Sequence, residues 1–109
     1  MNIDFRKMEA EKKENFKGGE KSLAMKAYDD GQNRMMELCL EPGASIGLHT
    51  HIDDSEIVYI LSGTGRAIYD GGEDKLEPGV CHYCPTGHTH SIINDGTEEL
   101  RFFAVVPKN

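Results

Sequence analysis

Four side chains in this sequence are of the types that could converge on one cation: His49, His51, Glu56 and His90. His49-Thr50-His51 is an H-x-H pair in a stretch that reads as a strand, Leu48 to Ile52. Residues i and i+2 of a strand point to the same face, so the two imidazoles lean toward a common point. Glu56 heads the apolar run Ile57-Val58-Tyr59-Ile60-Leu61. A carboxylate at the head of such a strand is costly to bury alone, and a cation would stabilise it there. His90 comes from a distant segment, just past the Pro85-Thr86-Gly87 turn. Three imidazoles and one carboxylate make a mixed nitrogen and oxygen set suited to one divalent transition metal: Mn, Fe, Co, Ni, Cu or Zn. On an octahedral ion such a set leaves open positions for water, dioxygen or a bidentate substrate.

Other polar residues are read as scenery. His88 is either a rim acid or base or an exposed turn residue, and the turn reading is preferred. His82 and Tyr83 sit on opposite faces of one strand, so only one of them can look inward. Arg34, Arg66 and Arg101 either clamp an anion or are surface charges, and the surface reading is preferred for all three. Cys81-His82-Tyr83-Cys84 has the form C-x-x-C, but residues i and i+3 of a strand face opposite ways. No second C-x-x-C exists to complete a zinc knuckle, so Cys81, Cys84 and Cys39 read as small core or interface residues.

The elements that must position these residues are short strands. Ser22 to Tyr28, Met35 to Leu40, Leu48 to Ile52, Glu56 to Leu61, Gly65 to Tyr69, Lys75 to Leu76, Val80 to Cys84, His90 to Asn94 and Leu100 to Val106 are bounded by Gly, Pro and Asp signals. Such spacing predicts an all-β sandwich or barrel. Ile57 to Leu61 and Phe102 to Val106 are apolar on both alternating faces, so each needs cover on both. One face suits a barrel interior; the other calls for a second sheet, the N-terminal strand or a partner subunit. Residues 1–21 are rich in Glu and Lys and read as an N-terminal arm, mobile or packed on a partner, ahead of a single domain over 22–109.

The spacing around the candidate ligands resembles the cupin superfamily. Its first motif, G-x5-H-x-H-x(3,4)-E-x6-G, is matched by Gly43, His49, His51, Glu56 and Gly63. Its second, G-x5-P-x-G-x2-H-x3-N, is matched by Gly79, Pro85, Gly87, His90 and Asn94. All ten fixed positions fall in order within residues 43–94. The resemblance implies a jelly-roll barrel of about six to eight strands, commonly a homodimer, with His49, His51, Glu56 and His90 as metal ligands. It does not choose a reaction, because cupins include isomerases, epimerases, dioxygenases, decarboxylases and lyases as well as non-catalytic binding domains.

Composition narrows the partners. A chain of 109 residues with net charge −7 is repelled by phosphate backbones, so nucleic acid is not expected as a partner. Its apolar runs are too short to span a bilayer, no signal-peptide core is visible, and three cysteines do not form a disulfide framework. A cytoplasmic location is expected. Two functions remain: a metalloenzyme acting on a small oxygen-rich molecule, or a module that binds a metal or small ligand without turnover.

Overall fold

Alternation of inward apolar and outward polar side chains organises ten strands in the computed structural model, which describes residues 1–109. They are β1 (Glu11–Glu14), β2 (Ser22–Asp29), β3 (Asn33–Leu40), β4 (Ser45–Thr50), β5 (Glu56–Ser62), β6 (Gly65–Tyr69), β7 (Gly72–Leu76), β8 (Cys81–Cys84), β9 (Thr89–Ile93) and β10 (Leu100–Pro107). One sheet runs β1-β2-β3-β10-β5-β8 and the other β4-β9-β6-β7, with every pairing antiparallel. The two sheets form an all-β sandwich, as the strand spacing predicts, with the jelly-roll fold that the resemblance implies. No helix is long and apolar enough to cross a membrane.

The inward rows are continuous. Met36, Leu38 and Leu40 of β3, Val58 and Ile60 of β5, and Phe102, Ala104 and Val106 of β10 are buried together. Ile46, Ala67 and Ile92 close over them from the second sheet. The β6–β7 hairpin turns through Asp70 and Gly71, at φ 47° and 82°. Positive φ at both central residues is the turn geometry whose twist matches flanking strands, and Asp-Gly supplies it at low cost.

The outer face of the larger sheet is covered unevenly. Phe5 packs edge-on against Phe103 with ring centroids 5.6 Å apart, so the N-terminal segment covers part of β10. Beside it Ile57, Tyr59, Leu61 and Tyr83 stand exposed, by 39, 47, 48 and 54%.

Residues 1–21, expected as an arm, are stitched to the sandwich. Glu11–Glu14 pair with Ser22–Met25 as an edge strand whose side chains are nearly all solvent-facing. A charged edge strand lacks the apolar alternation by which strands are read, and it is held by backbone bonds alone. Phe16 then packs on the core, and a 3₁₀ turn over Phe16–Gly18 crosses β4. That crossing is close: a Cβ on Gly47 would stand 2.0 Å from the Lys17 carbonyl oxygen, and one on Gly19 2.0 Å from that of Ser45. Only glycine fits at both places. Here β4 also departs from expectation, beginning at Ser45 with a register shift between Ile46 and His49 in its pairing with β9.

Candidate metal centre

His49 and His90 face each other directly across the β4–β9 pair. His51 lies one residue past β4, pinned on both sides: its N–H donates to the His88 carbonyl (3.1 Å) and its carbonyl accepts from the Gly87 N–H (2.6 Å). Gly87, at φ 89°, lets the chain reverse there so that His90 enters β9 facing inward. Glu56 opens β5 in the opposite sheet and points across the sandwich. All four residues proposed from the sequence are thus brought together, with one donor atom from each within 4.8 Å of the others.

The separations are tighter than that bound. Glu56 Oε1 is 3.0 Å from His90 Nε2, 3.2 Å from His51 Nε2 and 3.9 Å from His49 Nε2. His90 Nε2 is 3.1 Å from the Nε2 atoms of both His51 and His49. The remaining ring nitrogens are committed elsewhere. His49 Nδ1–H donates to the Gly47 carbonyl at 2.7 Å, and His51 Nδ1–H donates to Asp54 Oδ1 at 2.6 Å. A carbonyl and a carboxylate can only accept, so in neutral rings these bonds leave bare lone pairs on Nε2 of His49 and His51. Those lone pairs converge with a carboxylate oxygen, a cluster of acceptors that calls for positive charge at its centre. Ligand bonds of about 2.1 Å at right angles would set donors about 3.0 Å apart, which matches the shorter contacts. The residues present fit one metal ion.

Electrostatics point the same way. Burial pushes the Glu56 carboxyl up, but the imidazoles of His49, His51 and His90 set against it outweigh burial and hold the group well below the usual carboxylate range. His51 is raised, chiefly by its contact with Glu56; burial opposes this and Asp54 adds to it. The cluster therefore attracts a cation.

His49, His51 and Glu56 of the cluster line one side of a cavity of about 570 Å³. Met36, Leu38, Ile46 and Val106 line its depth, and Lys17 and Arg34 supply its positive charge. Arg34 corrects a preference stated above. It shares the inward parity of Met36, Leu38 and Leu40, and it stands at the mouth of the sandwich, held by Asp29 at 3.6 Å. Counting back by twos from Leu40 would have found it. Arg66 and Arg101 are surface charges, paired with Glu73 and Glu37.

The other candidates separate. His88 faces away from the cluster, stacked on Tyr69 and bonded to Asp70. Cys81 is exposed, whereas Cys84 is buried, and burial pushes its thiol up to about 11. Of the pair on β8, Tyr83 looks outward and His82 inward. His82 Nε2 lies 3.0 Å from His90 Nδ1, a placement that residue types alone did not reveal.

Two facing antiparallel sheets with a three-histidine, one-carboxylate cluster between them define a small jelly-roll domain that could hold one metal ion. A family model described as the cupin domain matches residues 36–106, and the chain belongs to that family. It is 36% identical over 85 residues to an oxalate-binding protein of Thermotoga maritima, covering 77% of this chain and 69% of that one. The crystal structure of a T. maritima protein described as a predicted oxalate decarboxylase superposes with a TM-score of 0.94, covering 100% of both chains at 30% identity. A cupin domain of Schizosaccharomyces pombe, 13% identical, superposes with a TM-score of 0.80 over 100% of this chain and 74% of that one, a likeness of fold alone.

Proposed function

We propose that this chain binds one divalent transition metal through His49, His51, Glu56 and His90 and holds there a small oxygen-rich dianion of the oxalate class. One observation carries this reading: the cluster opens onto a cavity that also presents the cations Lys17 and Arg34. A bound metal would supply Lewis-acid attraction for two oxygens of a bidentate carboxylate. Arg34 contributes a planar fork of donors, a geometry that suits carboxylates. The apolar wall of Met36, Leu38 and Ile46 keeps competing water from the deep side and strengthens each polar contact. The T. maritima relatives, one described as oxalate-binding and one as a predicted oxalate decarboxylase, support the same ligand class.

Binding without turnover is the form best supported. His49, His51 and His90 each already commit Nδ1 to a partner, which leaves none of them free to shuttle a proton. A second reading, decarboxylation, is favoured by Asp53, which lines the cavity and could deliver a proton there. Calorimetric titration of oxalate into manganese-loaded and metal-free protein separates the readings. One oxalate bound per chain, only with metal, supports the proposal; no binding to the loaded protein overturns it. Formate and carbon dioxide release from the same mixtures would establish the second reading. We also place a second copy of the chain on the exposed face of Ile57, Tyr59, Leu61 and Tyr83, because that apolar strip is the uncovered part of the larger sheet.

A further inference from the structure

His82 has no place among the four cluster residues, yet it is 5% exposed and directly behind one of them. The planes of its ring and that of His90 are nearly parallel, 14° apart with centroids 5.2 Å apart, and Nε2 of His82 lies 3.0 Å from Nδ1 of His90. On the far side, His82 Nδ1 looks toward the Asp74 carboxylate at 3.9 Å. The Tyr69 ring stands edge-on to His82, at 88°, and fixes its plane. Asp74, His82 and His90 thus form a line from the protein surface to the cluster.

We propose that His82 is a positioning residue that locks His90 in the tautomer able to ligate a metal, with Asp74 backing it. The inference rests on the metal-site reading above. Its logic is proton accounting. If His90 Nε2 gives its lone pair to the metal, the ring's one proton must sit on Nδ1. That proton meets His82 Nε2, which can accept it only if His82 carries its own proton on Nδ1. Protonated Nδ1 of His82 then faces Asp74. One arrangement pairs the two facing ring nitrogens and turns the outer His82 proton toward the Asp74 carboxylate, 3.9 Å away, and it is the arrangement that aims His90 Nε2 at Glu56, His49 and His51. The other two histidines are held by the same device, since His49 donates to a carbonyl and His51 to a carboxylate. His90 differs in being held by a neutral ring instead of a carbonyl or carboxylate oxygen. Outer partners of this kind orient the ring and raise its basicity.

The test uses zinc, which is diamagnetic, as the probe. In long-range ¹H–¹⁵N spectra of the unmodified zinc-loaded protein, both His90 and His82 are expected to carry their protons on Nδ1. His82 protonated on Nε2 would overturn the inference without reference to any variant. In chelator competition, His82→Phe should bind zinc about 10–100-fold more weakly than the parent. His82→Gln, which can present a carboxamide oxygen to His90 Nδ1, should recover most of that loss. Equal zinc affinity in the parent and His82→Phe refutes a positioning role, and so does failure of His82→Gln to improve on His82→Phe. Absence of zinc binding by the parent is a distinct outcome: it overturns the metal-site reading and this inference with it.

Discussion

Replacing Glu56 with Gln tests whether the carboxylate is a ligand or only a hydrogen-bond partner of three histidines. The change keeps shape and volume but removes the anion. A four-ligand zinc site binds with an apparent free energy of about 10–16 kcal/mol, so one ligand of four is worth about 2.5–4 kcal/mol, or 10²–10³-fold in affinity. The loss is legible in stability as well. Zinc at about 1,000 times the parent's dissociation constant stabilises the folded chain by about 4 kcal/mol. For a domain of this size that raises Tm by about 15 °C. At the same zinc concentration the variant is left with only about 1–10 times its own dissociation constant, hence about 0.4–1.4 kcal/mol and a rise of about 2–6 °C.

The assay is scanning calorimetry of each protein with and without zinc, so that each variant is its own reference. This matters because the cluster in the metal-free chain is not neutral to the substitution. Glu56 is in close contact with His90 and His51, and Gln lacks its charge, so the metal-free Tm will move too. Only the zinc-induced difference reports ligation. A Glu56→Gln protein whose zinc-induced shift equals the parent's would refute the reasoning, because it would show that the anion does not face the ion.

Three further expectations follow from other parts of the structure. Arg34→Gln should weaken oxalate binding to metal-loaded protein by about 10–100-fold, the worth of one charge-assisted pair, with zinc affinity unchanged; calorimetry on both ligands checks this. Tyr59→Lys places a charge in the exposed strip of β5 and should convert a dimer to monomers in sedimentation analysis, whereas a parent that sediments as a monomer at high concentration would remove the second copy from that face. Gly47→Ala forces a Cβ toward the Lys17 carbonyl oxygen, so the turn over Phe16–Gly18 must shift. It should cost about 1–3 kcal/mol in urea unfolding and loosen oxalate more than zinc, because Phe16 and Lys17 line the cavity.

The sequence showed the four cluster residues and most strands because both are written in spacing. His49 and His51 share a face by parity, Glu56 breaks an otherwise apolar run, and Gly-Pro turns bracket the strand of His90. The edge strand Glu11–Glu14 was hidden because it is held by backbone bonds, which leave no side-chain signature. Arg34 was legible in principle, since it continues the row of Met36, Leu38 and Leu40. It was read as surface because a charged residue among apolar ones suggests an outward turn unless the row is known to end at a cavity mouth.

The partners behind the cluster histidines divide along the same line. The Gly47 carbonyl lies two residues before His49, and Asp54 three residues after His51, so both holders are local and could be sought within a few positions of their histidine. His82 reaches His90 only because β8 pairs with β5 in the larger sheet while β9 belongs to the other. His82 and Tyr83 are both amphipathic rings on a four-residue strand, so neither hydropathy nor period decides which points inward. The choice is made by the opposite sheet: an inward imidazole finds a ring nitrogen to bond, whereas an inward tyrosine hydroxyl would need a partner at the depth of the cluster. Buried polar groups survive only where such a partner exists. That is why the outermost part of the centre, and not the four cluster residues, became visible only when the two sheets were brought face to face.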